Sequence, residues 1–183
     1  RRPPRSTPSN SSAASDVYKR QTDSSFVVQL WYVHRGCPDG RWGCVDERYR
    51  DPVKFFDRTY FSEGLKQILR NVVQRLVFGG EHNAVVLLYT GFGGGKSHTL
   101  LAIYHIARSF REAVRSRRLR EFLREVGVDT STDFRSAIAV FDGAAVDPVR
   151  LRDVYGSPNA WVFILEELVR SAGAGREFLE RVR

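Results

Sequence analysis

A lysine and a hydroxyl side by side, just after a run of glycines, can hold the phosphates of a nucleotide together with its metal ion. The chain carries such residues in TGFGGGKSHT, where Gly91, Gly93, Gly94 and Gly95 precede Lys96 and Ser97. Glycines let the backbone curl until successive N–H groups face one concavity, and a following helix adds its own unpaired N–H groups and the positive end of its dipole. A lysine at the last loop position reaches the β and γ phosphates, and the next hydroxyl can ligate Mg²⁺. The candidate nucleotide contacts are therefore Thr90, Gly91, Phe92, Gly93, Gly94, Gly95, Lys96, Ser97 and His98. Among them Lys96 is the candidate catalytic cation and Ser97 the candidate metal ligand, with ATP and Mg²⁺ as the cofactors. Against the pattern GxxxxGK[ST], Thr90 departs at the first position, and Gly91 can absorb the turn there. The dinucleotide pattern GxGxxG fails, because its third glycine falls on Lys96.

The second candidate catalytic residue is Asp142, which closes the apolar run Ser136–Phe141. Four hydrophobic residues and then an aspartate have the shape of a Walker B element, whose carboxylate holds the Mg²⁺ water shell. No glutamate follows it. A parallel strand–helix–strand unit with a right-handed crossover would give the same pattern without catalysis.

These residues need elements to position them. Ala84–Tyr89, AVVLLY, has the length and composition of a buried strand. After the glycines, Leu100, Leu101, Ile103, Tyr104, Ile106 and Ala107 recur at three- and four-residue spacing, which predicts a helix starting near Lys96 or Ser97. Strand, loop and helix in that order predict an α/β protein: a P-loop NTPase-like three-layer fold, a parallel sheet flanked by helices. Two strands are clear and a third is doubtful, fewer than such a sheet needs, so the fold is expected to be incomplete, the N-terminal part of something longer.

Residues 1–25 are rich in serine, proline and arginine and are expected to be disordered. The string SSAASDVYKRQ also resembles translated adaptor sequence from assembled metagenomic reads, which would make this tail non-native. Residues 26–50 are expected to form an N-terminal strand and an irregular loop, Phe26–Val33 being compatible with a short helix as well. Residues 51–183 are expected to be the N-terminal part of a P-loop ATPase domain. Within them, Ser62 can N-cap a helix whose residues Leu65, Ile68, Leu69, Val72, Val73, Leu76 and Val77 share one face, ended by Gly79-Gly80. Phe55, Phe56, Tyr60 and Phe61 read as core, or else as an anchor for the adenine side of the site. Ser157-Pro158 starts a last helix carrying Trp161, Ile164, Leu165, Leu168 and Val169, on which Glu166 and Glu167 are expected to face solvent.

The formal charge is +8, and only four of the 29 basic residues are lysines. Such a surplus favours anionic partners. Seven arginines between Arg108 and Arg124 could track the phosphates of a nucleic acid, or could form a solvated helical surface with pairs such as Arg117 to Glu121; the second reading is favoured. Cys37 and Cys44 are too widely spaced for a zinc knuckle, leaving free thiols or a disulfide, with free thiols favoured for a cytosolic nucleotide-binding protein. No stretch approaches 18 apolar residues, so no membrane partner is expected. The N-terminus also lacks an apolar leader, and a cytoplasmic location is expected.

Read together, DPVKFFDRTYFSEGLKQIL, VVLLYTGFGGGKSHTLLAIYHIA and AIAVFDGAAVDP resemble an AAA-type P-loop ATP-binding family of archaea and bacteria known as a domain of unknown function. The resemblance covers roughly residues 47 to 170 and is most specific in GFGGGKSHT and AIYH. It implies an ATPase that couples hydrolysis to a further task, with its Walker B element and arginine finger downstream, and Thr90 to Ser97 as nucleotide contacts. It also implies a setting among DNA-modification proteins, with DNA as a further partner, and it leaves oligomerisation open. The alternative from a different class is a nucleic-acid-binding module that uses the arginine-rich helix 108–124.

Overall fold

Phe55 and Phe56 sit at the centre of the protein, on a helix of only seven residues that three other helices pack around. The computed structural model describes residues 29–37, 45–79, 85–89, 94–143, 148–155 and 159–173. Its helices there, in chain order, are α1 (Leu30–Arg35), α2 (Glu47–Arg50), α3 (Pro52–Arg58), α4 (Glu63–Phe78), α5 (Lys96–Ala113), α6 (Arg117–Glu125), α7 (Pro148–Tyr155) and α8 (Ala160–Ser171).

Each start has a local cause. Asp51 accepts from the N–H groups of Val53 and Lys54, and Pro52 occupies the first helical position of α3, where its missing N–H costs nothing. Ser62 accepts from Leu65 N and opens α4, which buries Leu65, Leu69 and Val73 as its spacing predicts and ends at Gly79, φ 65°. Ser116 both caps α6, accepting from Leu119 N, and donates to Asp57 Oδ1 at 2.6 Å, tying α6 to α3. α5 runs from Lys96 and kinks at Ser109, whose φ is −134°. Beside that kink the Ala107 carbonyl accepts from Ser136 Oγ at 2.6 Å, a side chain inserted at the bend of the helix.

The core is continuous from α3 through α4, α5 and α6, with Phe56, Leu69, Val73, Leu101, Ala102, Ile106, Leu119 and Leu123 shut off from water. Phe61 stacks between Phe56 and Phe122, at 6.2 and 5.4 Å. A smaller cluster, Leu151 with Phe163, joins α7 to α8 and meets Trp31 of α1.

The expected three-layer α/β fold with a parallel sheet is overturned: the described residues form helices and contain no strand. Val85–Tyr89 is irregular, and Val85, Leu87 and Tyr89 are almost fully exposed, so the described part of Ala84–Tyr89 is no buried core strand. Ser136–Phe141 is irregular too. It lies between α5 and α8 with Val140 buried and Ile138 partly so, and its backbone is held by a side chain, Ile138 N donating to Ser171 Oγ at 2.9 Å. Strands persist by exchanging N–H and C=O bonds with a neighbour, and neither run has one among the described residues. Within 26–50, where a strand or else a short helix was expected and then a loop, Leu30–Arg35 and Glu47–Arg50 are helical; residues 26–28 lie outside the described residues.

Candidate functional site

Two long helices, α4 and α5, begin at the rim of one hollow. Its volume is about 320 Å³, and its described walls include Ser62, Gly64 and Leu65 from the start of α4 and Gly94, Gly95, Lys96, His98 and Thr99 from the start of α5. Tyr60, Ile68 and Leu88 complete the described lining. The first N–H groups of any helix lack intrahelical acceptors, so two such starts at one hollow place partial positive charge on two of its sides. α4 satisfies part of its need with the Ser62 hydroxyl. α5 does not: its cap is Gly95, in the left-handed conformation at φ 77°, with no side chain to offer. Half-buried Lys96 follows directly and adds a full positive charge to the wall.

Of the loop residues expected to contact a nucleotide, Thr90, Gly91, Phe92 and Gly93 lie outside the described residues. Gly94, Gly95 and Lys96 line the hollow; Ser97, the expected metal ligand, is exposed on the first turn of α5 and is not among the lining residues. Asp142 is half-buried at the end of Ser136–Phe141 and does not line it either. The structure thus brings the lysine of the motif to a cavity without bringing Asp142 to the same wall. No group of three His, Cys, Asp or Glu side chains among the described residues is placed to hold a metal ion.

His98 has a packing role. Its ring lies 4.6 Å from that of Phe55, and its Nε2 is 3.1 Å from Thr59 Oγ1. Since the Thr59 hydroxyl donates to Phe55 O at 2.8 Å, it accepts from His98, which fixes the proton on Nε2. His98 therefore pins the first turn of α5 to the end of α3. His105, two turns further along the same face of α5, donates from Nε2 to Tyr49 O at 2.8 Å.

Burial holds His98, His105 and His34 below the ordinary imidazole pKa; for His34 the nearby Arg35 adds to this and Glu167 opposes it. A folded state that keeps these rings neutral binds fewer protons than the unfolded chain, in which each titrates near 6.5. The stability they contribute is therefore complete above about pH 6.5 and is lost as the pH falls through that value toward their depressed folded pKa values. The urea midpoint is expected to fall between pH 7.5 and 5.5, and to fall less in His105→Gln, measured against the wild-type chain over the same range. An equal fall in both would detach His105 from the effect.

Among the expected core aromatics, Phe55 and Phe56 are buried and Phe61 is partly so, but Tyr60 is 81% exposed at the hollow. The sequence left Tyr60 between core and an adenine-side anchor, and local spacing gave no means of finding Ser62 and Gly64 as neighbours of Lys96, because that meeting is made by the packing of α4 on α5. The arginine-rich stretch is split at Val114–Ser116 into the end of α5 and α6. Its arginines are exposed, with Arg117 paired to Glu121 at 2.8 Å as expected and Arg111 paired to Asp133.

Glu166 and Glu167, expected to face solvent, are both buried on α8. Glu167 accepts from Arg35 at 2.6 Å and Arg170 at 3.1 Å, with His34 Nε2 3.7 Å away. His34 also reaches the Tyr104 hydroxyl at 3.4 Å, so its ring docks α1 on α5 and α8. α8 starts after Asn159, whose side chain accepts from Trp161 N; Ser157 and Pro158 lie outside the described residues. Cys37 is in a disulfide, against the expectation of free thiols. No described helix is long and apolar enough to cross a membrane.

A family model described as the DUF499 N-terminal domain matches residues 14–140, which bears out the resemblance as far as a domain of unknown function. No curated protein and no solved structure matches the chain.

Proposed function

We propose, on the premise that the chain belongs to the DUF499 N-terminal domain family, that its hollow between the first turns of α4 and α5 is a phosphate-binding site for Mg-ATP. The observation that carries this reading is the convergence of two helix N-termini and Lys96 on one cavity of about 320 Å³. That volume falls within the range usual for small-molecule sites, roughly 300–1,000 Å³. The Lys96 ammonium would neutralise β and γ phosphate oxygens, and the N–H groups after Gly95 would meet the oxygens nearest the backbone. Mg²⁺ would arrive with the nucleotide, held chiefly by its phosphate oxygens and water, since Ser97 does not line the hollow. The sequence TGFGGGKS supports the assignment independently, since a lysine and a hydroxyl at a helix start are the phosphate-binding end of a Walker A loop. The proposal is of binding and does not depend on a sheet.

A ligand that binds only the folded chain raises its stability by about 2.7 kcal/mol when present at a hundred times its Kd. Mg-ATP is therefore expected to raise the melting temperature of the 183-residue chain by several degrees, with the rise growing with concentration. Lys96→Ala is expected to abolish the shift. Equal shifts in both proteins would refute the reading.

A further inference from the structure

Three aromatics at and just after the end of α3, Phe56, Tyr60 and Phe61, are divided between core and surface. Phe56 and Phe61 stack into the core, while Tyr60 between them turns outward, 81% exposed, onto the wall of the hollow that also holds Lys96. Its backbone is held on both sides. Thr59 is buried, with its carbonyl accepting from Arg118 Nη1 at 3.0 Å, and Ser62 N donates back to Tyr60 O at 3.0 Å. A solvent-facing phenol on a backbone held at both sides, beside a hollow, offers a stacking surface to a flat partner. Leu65, Ile68 and Leu88 line the same hollow and offer apolar contact to the rest of such a partner. Gly64, in the first turn of α4, has open space where a Cβ would stand, which keeps that wall low.

We propose that the ligand of this hollow is a purine nucleoside triphosphate whose base lies on the face of Tyr60 while its phosphates lie at Gly94–Lys96. This rests on the phosphate-binding reading above and adds the base to it. Stacking reads the face of a base and not its edge, so adenine and guanine are accepted alike. A pyrimidine, with one ring, covers less of the phenol and binds more weakly.

Calorimetric titration of the full chain with Mg-ATP, Mg-GTP, Mg-UTP and Mg-tripolyphosphate separates the two contributions. ATP and GTP are expected to bind roughly tenfold or more tightly than tripolyphosphate, with UTP between. Tyr60→Ala is expected to bring ATP down to the affinity of tripolyphosphate and leave tripolyphosphate unchanged, and Tyr60→Phe to retain ATP binding. ATP affinity that is equal in wild type and Tyr60→Ala, or an equal loss for ATP and tripolyphosphate, overturns the stacking proposal. If Lys96→Ala still abolishes ATP binding in that case, the phosphate reading stands without it. A wild-type chain that binds neither ATP nor tripolyphosphate overturns both. Because Tyr60 lies outside the core, its variants are expected to melt with the wild type, and a shared loss of folding would show in that measurement.

Discussion

Phe56→Ala is expected to lower the unfolding free energy by about 3–5 kcal/mol, a large part of what a domain of this size has in reserve. The ring is wholly shut off from water and meets Phe55, Phe61 and His105, with centroids 5.1, 6.2 and 6.4 Å away. None of these neighbours is free to fill the gap. Phe55 is held against the rings of His98 and His105, and Phe61 is stacked on Phe122 of α6. A cavity is therefore the expected result, and residual cavities add to the cost of the lost transfer energy. The position matters more because α3 is the element on which α2, α5 and α6 meet. Urea unfolding of Phe56→Ala beside Tyr60→Ala tests this, since the exposed tyrosine is expected to change stability by no more than about 0.5 kcal/mol. Similar losses in the two would mean that the hub has been misplaced.

That contrast also marks what the sequence could tell. Ser62 and the spacing of Leu65, Leu69 and Val73 identified α4 correctly, because cap and period both act within the helix itself. The start of α5 at Lys96 was legible for the same reason. Val85–Tyr89 and Ser136–Phe141 were misread because an apolar run states only that a segment is hydrophobic. Whether it becomes a strand depends on a partner elsewhere in the chain, and no local pattern supplies one. Tyr60 and Phe61, adjacent and chemically alike, end on opposite sides of the core surface, a distinction set by how α4 leaves α3. Of the candidate site, the lysine, the glycine before it and the start of α4 were readable, and Tyr60 was readable as core or as an adenine-side anchor; their meeting at one hollow was not, being a product of tertiary packing.

The buried charge on α8 was the least readable feature, and it leads to the second large effect. A glutamate on a mainly apolar helix is ordinarily solvent-facing, yet Glu167 has only 5% of its side chain exposed, because α1 brings Arg35 and His34 over it. Its removal leaves the Arg35 guanidinium without the carboxylate that offsets its desolvation. Cutting one partner from a buried ion pair costs about 3–5 kcal/mol, but Arg35 and Arg170 retain 31% and 58% side-chain exposure and can turn partly to water. Glu167→Ala is therefore expected to cost about 2–3 kcal/mol, below that range. Arg170→Ala removes only the exposed arm and is expected to cost less than about 1 kcal/mol. The imidazole of His34 gives a readout that simple loss of packing would not move. Burial and Arg35 hold its pKa down and Glu167 opposes them, so in Glu167→Ala the His34 pKa is expected to fall further, followed by the ring proton shifts in an NMR titration. A rise would mean that Glu167 does not face this histidine, and that α1 is held to α8 by the contact of Trp31 with Phe163 and by Arg35 lying over both rings.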